Sequence, residues 1–469
     1  MSGPTTRFAR RIRNAAVVCA LGLIAGCAPW RADARAWASA QPTITRELGA
    51  RARPLGELDA AVPTAAPVWA MVREAHVIGV GEGTHGTREF RRLLHGLVVH
   101  AAHEQQPVVL AVELPFNMVL ALDAWAGHGW SPDPQIRDRD LSDPKLLASG
   151  WLGAVQESRE LFTWIRDFNR SAPPERQIRL VGVDVCMTVH CGAEIADYLV
   201  DVDPGIESQA RDLVLPLRGF DLERTRSPAL AARARENLAE LRGMLAARRD
   251  RIVERRGVDT YESAQRLVWL AERRVDIALA WGDNPVSPER ELAMAGTVAW
   301  IRDRLGGDGW VLLHAHNGHV GRSRPRMPNG RLSHSPQMGE HLAARLGSDY
   351  AVVYTTFDAG EFLAFHTRGR VGAEKFKTRA LRAFSVRPAP RGTLEATLRA
   401  PTAYALDVGE ATAAAGPLAD YLRAGHWSRT FTYAWRPSFA VFPVGWTGIA
   451  PAADFDVLVY VPRAAATRP

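Results

Sequence analysis

The stretch His76-Val77-Ile78-Gly79-Val80-Gly81-Glu82-Gly83-Thr84-His85-Gly86 decides the reading of this chain. Its apolar half reads as a short strand, and its glycines close that strand in a tight turn carrying an acid and an imidazole. Beyond the turn, Phe90, Leu93, Leu94, Leu97 and Val98 fall on one helical stripe. The same succession of strand, polar end and helix recurs outward. Val108 to Val112 ends at Glu113 and is closed by Leu114-Pro115; after a helical segment from Trp151 to Asn169, Ile178 to Val183 ends at Asp184. A helix from Ser287 to Leu305 returns to the strand Gly309 to Leu313, which delivers His314, His316, Asn317 and His319. Two further strands run over Asp349–Phe357 and Phe455–Val461. Apolar strands ending on polar groups and separated by helices predict an α/β fold, a mostly parallel central sheet flanked by helices. Between about 210 and 281 the period is helical and the charge dense, which predicts a helical cap or insertion.

At the N-terminus Arg7, Arg10, Arg11 and Arg13 precede an apolar run from Ala15 to Ile24, the layout of a secretory signal. Ile24-Ala25-Gly26-Cys27 has the form of a bacterial lipobox, so residues 1–27 are expected to be a lipoprotein signal peptide with Cys27 as the lipidation site. The expected setting is the cell envelope, at the outer membrane facing the periplasm, with that lipid as the only membrane attachment. Residues 28–60 mix Ala, Arg, Pro and Thr without a sustained apolar period and read as a tether, leaving 61–469 as the catalytic domain. The formal charge of +7 falls to about +3 once the four leader arginines are removed, and the remaining arginines are scattered. No nucleic-acid partner is expected on that footing. In an oxidising compartment Cys186 and Cys191 are candidates for a small disulfide loop, with two separately buried thiols as the other reading.

The chemistry gathers where an open α/β sheet places its sites, at the carboxyl ends of strands. Glu82 lies three residues before His85, close enough to hold the imidazole in one tautomer so that it takes a proton from an attacking water. His314, His316 and His319 form the densest histidine group, and one of them is expected to meet His85 and Glu113 across the sheet edge. Two readings stay open: water activation by one imidazole with a second donating to the oxyanion, without cofactor, or a divalent metal held by His85, Glu113 and His316. There is no Gly-x-Ser-x-Gly elbow, and Gly79, Gly81 and Gly83 lack the lysine of a phosphate loop. Glu113 and Asp184 each admit a bland reading as acids that tie down a helix start or a loop.

Taken in order, Gly81-Glu82-Gly83-Thr84-His85-Gly86-Thr87-Arg88-Glu89-Phe90, Val112-Glu113, Gly182-Val183-Asp184, Arg290 with Met294, and His314-Ala315-His316-Asn317-Gly318-His319 resemble the erythromycin esterase family, some of whose members carry the name succinoglycan biosynthesis protein. The likeness continues through Met338-Gly339-Glu340-His341-Leu342 to Phe455-Asp456. It implies a hydrolase that cleaves a carboxylic ester or lactone, a macrolide being one candidate, with His85 as base, Glu82 as its orienting acid and His316 or His319 as the second essential imidazole. Glu113, Arg88, Glu89, Arg91, Arg290 and Asn317 are then expected to bind substrate or support the site. Two positions depart from the pattern: Leu94 stands where an arginine is usual, with Arg91 one turn earlier, and Glu291 stands where an aspartate is usual. The competing readings are a metal-dependent hydrolase of esters or peptides, and an inactive binding lipoprotein related to haem or polysaccharide, for which Leu94 is the best support.

Overall fold

The computed structural model describes residues 34–58, 65–143, 146, 155–185, 188–220, 227–281, 287–305, 307–324, 336–366, 381–436 and 445–469. Among these the strands are β1 Arg53–Pro54, β2 Val77–Glu82, β3 Val108–Pro115, β4 Arg179–Asp184, β5 Trp310–His316, β6 Tyr350–His366, β7 Leu381–Val386, β8 Tyr404–Asp407, β9 His426–Arg429, β10 Ala434–Trp435, β11 Trp446–Ile449 and β12 Val457–Ala464. The helices that matter below are α1 Gln41–Arg51, α2 Ala66–Val72, α3 Arg88–His103, α4 Phe116–Trp125, α5 Gln156–Ser171, α6 Thr188–Val202, α7 Glu207–Val214, α8 Pro228–Ala247, α9 Arg249–Arg256, α10 Val258–Trp281, α11 Pro288–Leu305, α12 Asn317–Val320 and α13 Met338–Leu346.

One large sheet runs β1-β8-β12-β6-β2-β5-β3-β4. Its centre is parallel, from β12 through β6, β2, β5 and β3 to β4, and β1 and β8 are antiparallel additions at one edge. The mostly parallel α/β architecture expected from the sequence is the one observed. Every residue of β2 is buried, as a central strand covered on both faces must be. Ile78, Val80, Leu110, Val112 and Leu312 point toward α2, α3 and α5; Val77, Val109, Val311, Leu313 and Ala315 point toward α1, α11 and α13. From β2 the chain moves to β3 and β4 on one side, returns through β5, and then crosses to β6 on the other side. The order therefore reverses at β2 and β5, and the carboxyl ends of these strands are where an open α/β sheet places its sites.

Between 207 and 281 the described residues include α7 to α10, and with α6 these helices enclose a core of their own that includes Leu199, Leu238, Leu241, Leu267 and Val268. The tether reading of 28–60 is corrected within the described part. Residues 41–51 form α1, whose Ile44 and Leu48, four apart and thus on one face, are 0% and 3% exposed in the sheet's second core. Gln41 donates to the carbonyl of Thr397, and Arg53–Pro54 pairs antiparallel with β8. Two well-placed apolar side chains suffice to dock a short helix, which is why a search for a sustained period missed it. Residues 1–33, with Cys27, lie outside the described residues, as does Cys186. Cys191 is buried, its thiol 3.6 Å from the carbonyl of Leu267. Among the described residues no helix is long and apolar enough to cross a membrane.

Candidate active site

Alternation along the strands places the first group of side chains. In β5, His314 and His316 share the face of Leu312, and the register sets Val80 beside His314 and Glu82 beside His316. The turn after β2 must pass close to neighbouring backbone: a Cβ on Gly86 would stand 1.9 Å from the carbonyl oxygen of Leu363, and one on Gly81 would stand 2.2 Å from Asn317 Oδ1. Glycine is required at both places for packing, and neither serves a phosphate. The turn brings His85 back over the strand end, where its Nδ1 lies 2.7 Å from Glu82 Oε1.

Glu82 is 1% exposed, and its charge is compensated from α3 and β5. Arg91 Nη2 lies 3.4 Å from Glu82 Oε1 and donates to the carbonyl of His85 at 2.7 Å, while its Nη1 is 3.2 Å from His314 Nε2. His314 Nδ1 donates to the carbonyl of Val80 (3.1 Å), and its Nε2 also faces Glu82 Oε2 at 3.4 Å. Burial pushes the Glu82 carboxyl up, but the Arg91 guanidinium, His314 and His85 outweigh it and hold the group well below the ordinary carboxylate range. Leu94, one turn beyond Arg91, is buried among apolar side chains, so the guanidinium at this place comes from Arg91.

A second network lies on the other side of His316. The His316 ring stands 5.3 Å from that of His85 and 6.4 Å from that of His319, centroid to centroid. Glu113, past the irregularity at the end of β3, accepts the backbone N–H of His316 on Oε2 (2.9 Å) and meets His319 Nε2 with Oε1 (3.1 Å). The other His319 nitrogen, Nδ1, lies 2.8 Å from Glu291 Oε1. Arg290 donates to Glu113 at 3.1 Å and to both oxygens of Asp184 at 2.9 and 2.8 Å.

These contacts fix opposite states for two imidazoles. Burial disfavours charge on His319, but Glu113 and Glu291 override it and raise the pKa to about 10. For His316, burial and then the electrostatic influence of the neighbouring His85 and His319 lower it to about 4. His316 Nδ1 accepts the N–H of Gly318 (3.1 Å), so its proton sits on Nε2, which faces the carbonyl of Phe431 (3.2 Å) and Thr430 Oγ1 (3.4 Å). Burial alone raises the Glu113 carboxyl, yet His319, His85 and Arg290 carry it well below the ordinary range. A cavity of about 110 Å³ adjoins the cluster, with Gly318 and Thr430 in its wall.

Of the residues picked from sequence, His85, Glu82, Arg91, His316, His319, Glu113 and Arg290 come together. Three do not. Arg88 Nε lies 3.4 Å from Glu157, and the Glu89 carboxylate accepts the backbone N–H of Ala465, so both serve the junction of α3 with the chain's end. Asn317 points into the sheet, donating to the carbonyl of Thr355 at 2.8 Å. Glu291, Asp184 and His314, each noted in the sequence without a settled role, take their places as partners in these networks. The metal set of His85, Glu113 and His316 does not fit as arranged. Both His316 nitrogens and both Glu113 oxygens already face protein partners, and among the described residues no three His, Cys, Asp or Glu side chains converge as a metal ion requires.

The profile of the family described as Erythromycin esterase matches residues 104–464, most of the chain. This protein belongs to the erythromycin esterase family. Within it, the chain is 22% identical over 321 residues to the Escherichia coli protein named erythromycin esterase type II, covering 64% of this chain and 73% of that one. Among solved structures it is similar to a succinoglycan biosynthesis protein (17% identity, TM-score 0.71, 92% of this chain and 99% of the other). It is also similar to a histidine-to-asparagine variant of an erythromycin esterase in its open conformation (18% identity, TM-score 0.58, 88% and 97%). At these identities the two structures establish a shared fold.

Proposed function

We propose that this chain hydrolyses a carboxylic ester or lactone by direct attack of water, with His85 as general base. Membership of the erythromycin esterase family supports the reaction class. The observation that carries the mechanism is the 2.7 Å contact between Glu82 Oε1 and His85 Nδ1. With the proton on Nδ1 directed at a buried carboxylate, Nε2 is the basic nitrogen, and the imidazolium formed when it takes a proton from water is stabilised by Glu82. Glu82 thus orients the base, and Arg91 holds both Glu82 and the His85 carbonyl. His316, neutral and protonated on Nε2, serves the developing oxyanion by turning that N–H from the carbonyl of Phe431 to the substrate. His319, with both nitrogens bonded to carboxylates, acts through Glu113, which fixes the backbone of His316. Arg290 keeps Glu113 ionised and in place.

Proton transfer and charge stabilisation in this scheme use protein side chains alone, without a resident cofactor. A macrolide lactone is one candidate substrate, since the E. coli relative bears the name erythromycin esterase. Titrating chelator-treated protein with a panel of lactones and simple esters tests the assignment. Turnover of at least one substrate, unchanged by added zinc or manganese, is expected; turnover seen only on metal addition would favour the metal-dependent alternative. We further propose that the mature protein is lipid-anchored through Cys27 in the bacterial envelope. A Cys27→Ala variant should then leave the membrane fraction and lose labelling by radioactive fatty acid.

A further inference from the structure

The cavity of about 110 Å³ beside the imidazoles is bounded by Gly318 and Gly321 at α12, by Tyr354 of β6, by Thr430, and by Thr447, Gly448 and Ile449 at β11. Polar groups also enter its wall, but most are already matched. Asp454 accepts the hydroxyl of Ser323 and the backbone N–H of Ala450 (2.7 Å). Tyr354 donates its hydroxyl to Ser428 Oγ (2.9 Å), and Asn317 donates its amide to the carbonyl of Thr355 (2.8 Å). Beyond these the wall offers glycine backbone, the Tyr354 ring, Ile449 and two threonines, a surface that suits a short hydrocarbon chain better than an ion.

Thr430 links this cavity to the chemistry. Its Oγ1 lies 3.4 Å from Nε2 of His316, the protonated nitrogen, and so accepts there, which turns the hydroxyl's own proton away from the imidazole. The backbone is pinned on either side of it. The N–H of Arg429 donates to the buried Glu395 (2.9 Å), and that of Phe431 to the carbonyl of Gly83 in the turn that carries His85 (2.9 Å). Among the described residues, His85 is not in the cavity wall. The leaving oxygen of an ester must stay beside His85 to receive the proton taken from water, so the part that can enter the cavity is the acyl chain.

We propose that this cavity is the acyl subsite of the hydrolytic reaction, seating a short acyl chain with its carbonyl oxygen at the Thr430 hydroxyl. The assignment rests on the ester-hydrolase reading and names its substrate class as esters of short-chain carboxylic acids, ahead of a macrolide lactone. A cavity of about 150 Å³ holds benzene, and in proportion one of about 110 Å³ holds roughly four carbons.

Turnover of the 4-nitrophenyl esters of acetate, butyrate and octanoate, with His85→Ala as the background, tests the subsite. The leaving group is the same throughout, so differences in kcat/KM report the acyl side. Butyrate is expected to exceed octanoate by about tenfold or more, and Thr447→Phe, which fills the cavity from β11, should lower the butyrate-to-acetate ratio by about tenfold. Thr430→Val should lower kcat/KM for butyrate by about 100-fold, and Thr430→Ser should restore it to within about threefold of wild type. Octanoate cleaved as fast as butyrate, an unchanged ratio in a folded Thr447→Phe, or Thr430→Val within about threefold of Thr430→Ser overturns the subsite and leaves the reaction assignment standing. A wild type no faster than His85→Ala on every ester removes the hydrolytic reading, and the subsite with it.

Discussion

The Glu291 carboxylate, 0% exposed, lies 2.8 Å from Nδ1 of His319, although the two residues stand 28 apart in the chain. With Glu113 on the other ring nitrogen, His319 is a buried imidazolium between two carboxylates, a structural cation that holds the turn after β5.

Because its folded pKa is raised from 6.5 to about 10, His319 contributes stability in full below pH 6.5, and that contribution is lost as pH rises through about 10. Thermal midpoints of wild type and His319→Gln, measured from pH 6 to 10.5, should converge toward the alkaline end. Parallel curves across the range would show that the imidazole is not held charged.

The opposite sign applies to His316, lowered from 6.5 to about 4. Below pH 6.5 the unfolded chain binds a proton there that the folded chain refuses, so stability is lost as pH falls toward 4. His316→Asn should flatten this part of the acid limb relative to wild type, and an unchanged limb would place the titration elsewhere.

Glu82→Gln keeps the shape of the side chain but removes the charge that orients His85. A loss in kcat/KM of about 100-fold or more is expected, as for other bases deprived of their carboxylate partner. Arg91 is left buried without its counter-charge, at a cost of about 3–5 kcal/mol. The assay therefore belongs well below the variant's melting temperature, where a loss smaller than threefold would deny Glu82 its orienting role.

The strands were legible because β2, β3, β4, β5, β6 and β12 are apolar runs ended by polar groups, and a buried parallel strand has few other ways to be written. His85 and Glu82 were legible as a pair because a turn joins them. That a histidine of the loop after β5 meets Glu113 was legible too, whereas Glu291 on the other nitrogen of His319 was not, since it comes from a separate helix. Arg88 and Glu89 neighbour site residues in the sequence, yet adjacency does not fix the direction of a side chain, and theirs run to Glu157 and to the backbone of Ala465.

Helix α1 gives a further check on the fold. Leu48→Ala removes a side chain that is 3% exposed and should destabilise the protein by about 2–5 kcal/mol. A midpoint within one degree of wild type would mean that residues 41–51 behave as a tether after all.

The most direct measurement is kcat/KM of His85→Ala on an ester that the wild type cleaves, at a temperature where circular dichroism shows both folded. The account predicts a loss of at least about 100-fold in a variant that still folds, since Arg91 remains beside Glu82 to balance its buried charge. Turnover within tenfold of wild type would contradict it.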